Sequence, residues 1–209
     1  PMTPSSHGST NSDTHARAWL KPDQVEAMRD ACLTDSFPAY LQDRNEAIIS
    51  LLYDTGLRVG EVSELDKTNV NLGLDPATVY LPSEIQKGTP APATLELGKW
   101  GVSAERPLRR YLRDPWKETE ALFPSRSSPR ISTRSLERLV KKASREASVK
   151  PILGGGGQGE PKEVSPHTLR HSVAYRIIQV EGGRLEDVQM RLRHANRSTT
   201  DQIYSHLIP

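Results

Sequence analysis

The sequence has one cysteine, few aromatic residues and almost no net charge. Cys32 has no cysteine partner within the chain, which excludes an intrachain disulfide and a zinc site built from cysteines. Aromatic residues make up 5% of the 209 residues, and the formal net charge is only +2, so a strongly cationic surface is not implied. No apolar run is long enough to cross a bilayer, and no signal peptide is present. We therefore expect a soluble, intracellular protein.

Basic residues are nevertheless concentrated in two segments. Such local basic faces can contact phosphate backbones even when the net charge is small. Taken alone, however, each segment is better explained as a solvated helix face. One segment contains Arg130, Arg134, Arg138, Lys141, Lys142, Arg145 and Lys150, and the other contains Arg106, Arg109, Arg110 and Arg113.

Hydrophobic periodicity predicts a mainly helical chain with a small sheet. Residues 1–17 are polar and show no apolar period, which predicts a disordered leader or linker. Two strands, Thr78–Leu81 and Ala93–Leu97, flank a polar loop that contains Lys87. The fold class that follows is α+β, mainly helical, with helices around a small antiparallel sheet near residues 77–97. Helices are predicted near Pro22–Cys32, Leu41–Tyr53, Val59–Leu65, Ala104–Leu112, Thr133–Ala147, Pro166–Val180 and Leu185–Leu192, with a last helix that carries Tyr204.

The residues best suited to chemistry lie between Ser165 and the C-terminus. Four of the six histidines are in this stretch, together with Arg170 and Tyr204. A guanidinium presents a planar fork that matches phosphate oxygens. A phenol ordinarily titrates near about pH 10, and nearby positive charge favours its nucleophilic phenolate. Considered singly, each of these residues also fits an ordinary packing or surface role.

Two other patterns indicate less. His167 and His171 lie four apart and share a helix face, but a zinc hydrolase of this type places glutamate after the first histidine, where Thr168 stands. A zinc hydrolase is therefore the least favoured alternative. Residues 154–159 match the G-x-G-x-x-G pattern, yet Glu160-Pro161 occupies the place where a phosphate-binding helix would start. A flexible loop is the better prediction there.

Considered together, these positions resemble the catalytic domain of the tyrosine recombinases, the phage integrase family. The resemblance covers nearly everything from about Trp19 to the C-terminus. The motifs that carry it are Thr55-Gly56-Leu57-Arg58-x-x-Glu61, a lysine in a hairpin loop, His167-x-x-Arg170-His171, Leu192-Arg193-His194, Ser198-Thr199-Thr200 and Tyr204.

The resemblance implies a DNA strand transferase that acts through a covalent intermediate. Arg58 and Arg170 would hold the scissile phosphate and stabilise the transition state, and Tyr204 would attack the phosphorus to give a 3′-phosphotyrosine. Lys87 would protonate the departing 5′-oxygen. Because the phosphotyrosine conserves the bond energy, rejoining would need neither ATP nor a metal, and no cofactor is expected.

Four further residues are assigned by the same resemblance. His167 would assist proton transfer at the nucleophile, and His194 would hold a phosphate oxygen. Glu61 would orient Arg58, and His171 would have a supporting role.

The resemblance also implies partners and domain organisation. The substrate would be double-stranded DNA, and the protein would form a homotetramer only in a DNA synapse and be a monomer alone. Residues 18–209 would be the catalytic domain, without the N-terminal core-binding domain that usually precedes it. The protein would be cytoplasmic and nucleoid-associated when on DNA. Two alternatives stay open: a type IB topoisomerase-like relaxing activity, and a DNA-binding regulator with a decayed active site.

Two departures from the family pattern lie near the tyrosine. Arg193 stands where glycine is usual, which raises the question of whether the turn there keeps its close approach. The interval from His194 to Tyr204 is one residue longer than usual, with Asp201 as the extra residue, and a bulge is one way to accommodate it. We therefore expect the segment that carries Tyr204 to be mobile or displaced in the absence of DNA.

Overall fold

The computed structural model describes residues 17–208, so the predicted leader lies outside the described residues except for Arg17. The described part is mainly helical with a small antiparallel sheet, and the predicted fold class is confirmed. Its helices are α1 (Pro22–Cys32), α2 (Ala39–Thr55), α3 (Val59–Glu64), α4 (Glu105–Arg113), α5 (Thr133–Glu146), α6 (Pro166–Tyr175), α7 (Leu185–Leu192) and α8 (Arg197–Tyr204). Its strands are β1 (Val70–Asn71), β2 (Thr78–Leu81) and β3 (Ala93–Glu96).

The sheet has the order β1-β2-β3, and both pairs of neighbours are antiparallel. Val79 pairs with Leu95 on one side and Val70 on the other, and the side chains of Val79, Leu81 and Leu95 point into the core. Strand β1 was not predicted, because two residues are too few to show an alternating pattern. The predicted helix 166–180 is α-helical only to Tyr175 and continues as a π-helix over Arg176–Val180.

Helix α2 runs through the centre of the core and is buried along almost its whole length. It packs against α1, α4 and α6. The helix ends at Gly56, whose φ of 69° is left-handed and whose N–H donates to Leu52 O at 3.0 Å. A Cβ at this position would overlap the Leu192 side chain. Glycine is thus required both by the backbone angle and by the close approach of α7.

Buried charged groups tie the C-terminal end of α2 to its surroundings. The Asp54 carboxylate accepts hydrogen bonds from the N–H groups of Gly98 and Ala104, and it forms an ion pair with Arg191 Nη2 at 2.7 Å. Burial raises the pKa of Asp54, while Arg191 and the two amides oppose that increase. These contacts hold the end of α2 against the segment after β3 and against α7.

The N-terminal part of the described chain packs against the same core. Trp19 exchanges two backbone hydrogen bonds with Ile152, and its ring stacks on Tyr175 at a centroid distance of 3.8 Å. These contacts attach the segment around Trp19 to the core. Within residues 17–208, every helix is too short or too polar to span a bilayer.

Replacing Asp54 with asparagine is expected to destabilise the fold by about 3–5 kcal/mol, because it leaves the buried charge of Arg191 without its counter-charge. The free energy of unfolding in urea measures the loss. Glu118→Gln is the matched control, since Glu118 pairs with Lys67 while its side chain is 81% exposed, and stability should be nearly unchanged there. Equal stability of the Asp54→Asn variant and the unsubstituted protein would contradict the expectation.

Candidate active site

Arg58 lies at the start of α3, directly after the turn at Gly56. Its backbone N–H donates to Glu61 Oε1 at 2.8 Å, and its guanidinium Nη1 lies 3.9 Å from Glu61 Oε2. The side chain is 36% exposed. Glu61 thus fixes the backbone of Arg58 and lies beside its head group. The guanidinium remains accessible to a ligand.

Arg170 lies on α6 and is only 3% exposed. Its Nη1 donates to Gly56 O at 2.5 Å, and its Nη2 donates to Leu192 O at 2.6 Å. Burial, followed by the charge of Arg58, lowers the pKa of Arg170 to about 9. The group is therefore still protonated near neutral pH, and it joins the turn before Arg58 to the end of α7.

Two histidine rings pack against the tyrosine, and a third packs against one of them. His167 and His171 pack edge-on, with ring centroids 4.4 Å apart, and His171 packs against Tyr204 at 5.4 Å. The His194 ring is parallel to the Tyr204 ring at 6.0 Å, and its Nδ1 lies 2.8 Å from Thr200 Oγ1. The histidine beside the tyrosine on the α6 side is therefore His171, and His167 lies one ring further away.

The structure corrects the expectation that Tyr204 is displaced. Helix α8 runs without interruption from Arg197 to Tyr204, and Tyr204 is 2% exposed against the histidines. Thr200 and Tyr204, four residues apart, occupy the same buried face. The proposed bulge is also absent from this helix, because Asp201 occupies a regular, half-buried helical position and its carboxylate lies 3.7 Å from Arg197 Nε.

Burial controls the protonation of the site. It raises the pKa of Tyr204, although the charges of Arg170 and Arg58 act in the opposite direction. Burial, then Arg170 and Arg58, lower the pKa of His194 to about 4, and the same three causes lower the pKa of His167. The site therefore holds a neutral phenol and the neutral imidazoles of His167 and His194 beside two guanidinium groups.

Lys87 lies on the loop between β2 and β3, and its side chain is exposed. Together with Arg58, Glu61 and Gln86 it lines an open cleft of about 470 Å³. The fold thus brings Lys87 to the same cleft as Arg58, although the two residues belong to different parts of the chain. All eight residues singled out from the sequence lie in or beside one site.

The sequence did not reveal the contacts that Arg193 and Gln86 make. Arg193 has a left-handed backbone with φ 59° and ψ 41°, the conformation that a glycine would adopt, so the turn after α7 keeps its shape. The Arg193 side chain bonds to Glu61 and Gln86. The only sign of these contacts in the sequence was that Arg193 stands where the family pattern has glycine.

A metal ion requires a particular arrangement of histidine, cysteine and acidic side chains. Among residues 17–208, no group of three or more histidine, cysteine or acidic side chains is arranged to hold a metal ion. The zinc-hydrolase alternative therefore lacks a ligand set there.

Comparison with known proteins identifies relatives over most of the chain. The chain is 35% identical to tyrosine recombinase XerD of Ralstonia nicotianae over 195 residues, which covers 90% of this chain and 55% of the relative. It is 31% identical to tyrosine recombinase XerC of Natranaerobius thermophilus, with 90% of this chain and 58% of the relative covered. The chain thus spans little more than half the length of these relatives.

Solved structures with the same fold are found as well. The XerA recombinase superimposes with a TM-score of 0.69 at 26% identity, covering 90% of this chain and 60% of the other. A lambda integrase dimer bound to a core site superimposes with a TM-score of 0.64 at 19% identity, covering 90% and 48%, and shows the shared fold. The family model of the phage integrases matches residues 18–209. The chain therefore belongs to the phage integrase family, the tyrosine recombinases.

Proposed function

We propose that this chain is a site-specific DNA recombinase that cuts and rejoins duplex DNA through a 3′-phosphotyrosine. The observation that carries the proposal is the convergence of Tyr204, two arginines and three histidines in one site. Guanidinium groups can bind the phosphate and stabilise the extra negative charge of a pentacoordinate transition state. Tyr204 lies close enough to both guanidinium groups for their charges to act on its pKa, and its ring packs against His171 and His194.

In the cleavage step, the Tyr204 oxygen forms a bond to phosphorus, and the bond from phosphorus to the 5′-oxygen breaks. The phenolic proton passes to the histidine pair, with His167 as the acceptor and His171 between it and the tyrosine. Lys87 gives a proton to the departing 5′-oxygen, which leaves as a hydroxyl. Rejoining reverses each transfer, so no ATP is consumed. His194, held through Thr200, binds a phosphate oxygen.

The setting of the reaction belongs to the same proposal. The substrate is double-stranded DNA, and residues 18–209 form the catalytic domain. The chain is a monomer alone and a homotetramer when a synapse of two duplexes assembles. The reaction takes place in the cytoplasm, on nucleoid DNA. The complete set of site residues favours an active enzyme over a regulator with a decayed site.

Incubation with nicked duplex DNA should give a covalent protein–DNA adduct that persists in EDTA and disappears in Tyr204→Phe, because the phenylalanine has no nucleophile. The substrate is a pool of duplexes with randomised sequence around the nick. Sequencing the DNA in the adduct then supplies one duplex for all variants, and denaturing electrophoresis measures the adduct. Tyr80→Phe is the control, since Tyr80 is an exposed strand residue. An adduct of normal yield in Tyr204→Phe would contradict the proposal.

Lys87→Ala should slow cleavage of ordinary DNA by about 10²–10⁴-fold, the usual contribution of a general acid. On DNA with a 5′-thiol leaving group, the same variant should react at nearly the unsubstituted rate, because a thiolate departs without a proton. Single-turnover rates on the two substrates measure this difference. A variant that stays equally slow on both would remove Lys87 from the role.

His194 should remain neutral at pH values well below the ordinary pKa of a histidine. Burial and the neighbouring arginines disfavour the charged form, so the titration midpoint is expected near 4 in the DNA-free protein. Imidazole NMR shifts against pH measure it, and His194→Gln identifies the signal. A bound phosphate should raise the midpoint, since its negative charge stabilises the imidazolium. A midpoint of 6.5 or higher without DNA would show that this environment is described wrongly.

A further inference from the structure

The Arg193 side chain connects two parts of the site that are distant in sequence. Its guanidinium forms a two-pronged contact with the Glu61 carboxylate, Nη2 to Oε1 at 2.6 Å and Nη1 to Oε2 at 2.7 Å. Nη1 also donates to Gln86 Oε1 at 2.8 Å. The side chain is only 10% exposed. Bidentate pairs of this kind fix orientation as well as distance.

Gln86 in turn holds the loop that carries Lys87. It is 4% exposed, and its Nε2 donates to Leu81 O at 3.1 Å and to Ala91 O at 3.2 Å. Leu81 is the last residue of β2 and Ala91 lies just before β3, so the two carbonyls lie at the two ends of the loop that carries Lys87. Gln86 immediately precedes Lys87 in the chain. The bond from Arg193 to Gln86 therefore helps to fix the loop between β2 and β3 that carries Lys87.

Arg193 is also the main partner of Glu61. Burial would raise the pKa of Glu61, but the hydrogen bonds and charge of Arg193, followed by those of Arg58, hold it below its ordinary value. The carboxylate is therefore ionised and engaged by Arg193 at both oxygens. The Arg58 guanidinium, 3.9 Å away, keeps its N–H groups for a phosphate.

The backbone of Arg193 supports a specific need for its side chain. A residue other than glycine with φ 59° is uncommon and carries a conformational cost. Glycine would adopt this turn without that cost. The contacts of the side chain with Glu61 and Gln86 therefore explain why an arginine occupies this position.

We propose that Arg193 is a positioning residue that holds the Lys87 loop in register with the phosphate-binding Arg58, acting through Gln86 and Glu61. This inference rests on the proposed recombinase function, in which Lys87 must meet the 5′-oxygen while Arg58 holds the phosphate. Arg193 itself touches no reacting atom. Its effect on cleavage passes through the placement of the general acid.

The test compares Arg193→Gly and Gln86→Leu on DNA with an ordinary 5′-oxygen and with a 5′-thiol leaving group. Arg193→Gly removes the side chain and suits the left-handed turn, and Gln86→Leu breaks the link to the loop while Arg193 and Glu61 remain paired. On ordinary DNA, adduct formation by both variants should slow by about ten- to a hundredfold, the effect of a misplaced catalytic group. On the 5′-thiol substrate, both should react at close to the unsubstituted rate, because that leaving group needs no proton.

A combined variant tests whether the two residues act on one step. Lys87→Ala with Arg193→Gly should be no slower on ordinary DNA than Lys87→Ala alone, because an absent general acid cannot be misplaced further. Arg109→Ala serves as the matched control for loss of an arginine, since Arg109 pairs with Glu105 on the surface of α4. Its rates should be unchanged on both substrates.

The outcomes separate the inference from the function beneath it. If the unsubstituted chain forms no adduct on either substrate, the proposed function itself fails. If it reacts, equal slowing of Arg193→Gly on both substrates overturns the positioning role, as does a fully additive loss in the combined variant. Circular dichroism checks folding of each variant. Should Arg193→Gly unfold, Arg193→Met, which keeps the stem and loses the guanidinium, replaces it: slowing on ordinary DNA with rescue by the 5′-thiol supports the inference, and absence of rescue overturns it.

Discussion

The arrangement of the candidate active site depends on the buried guanidinium of Arg170. Arg170 donates to the carbonyl oxygens of Gly56 and Leu192, which lie at the C-terminal ends of α2 and α7. These ends carry the negative poles of their helices, so a cation buried between them is stabilised, and both carbonyls gain the partners that buried polar groups need. The same contact fixes Arg58, which follows the first carbonyl, relative to His194, which follows the second. An arginine has five N–H groups, so donors remain for a phosphate oxygen.

The electrostatics of the site follow from this arrangement. Burial and two adjacent guanidinium groups disfavour a third positive charge, and His167 and His194 are therefore neutral. A bound phosphate reverses part of that penalty, because its negative charge stabilises an imidazolium. In the proposed mechanism, His167 consequently becomes a better proton acceptor when the scissile phosphate is in place. Substrate binding would then itself prepare the proposed proton transfer away from Tyr204.

Local patterns predicted the helices and the two longer strands, because hydrophobic periodicity is a property of neighbouring residues. The candidate site residues came from the resemblance to the tyrosine recombinases. Contacts between distant residues were not accessible in this way. The bonds from Arg193 to Glu61 and Gln86 span 132 and 107 residues, and no local signal marks such a pairing. The position of Tyr204 was predicted wrongly for a related reason. The packing of α8 against the histidines depends on the tertiary arrangement of α6 and α7, which sequence spacing alone does not define.

The extra residue before Tyr204 is tolerated for a geometric reason. Thr200 bonds to His194, and Tyr204 stacks on the same ring, so both must lie on one face of α8. With Asp201 present they are four residues apart, and without it they would be three apart. Because an α-helix has 3.6 residues per turn, spacings of three and four both place two side chains on one face. Insertion between these two residues therefore lengthens α8 without turning the tyrosine away from His194, whereas two added residues would rotate it off that face.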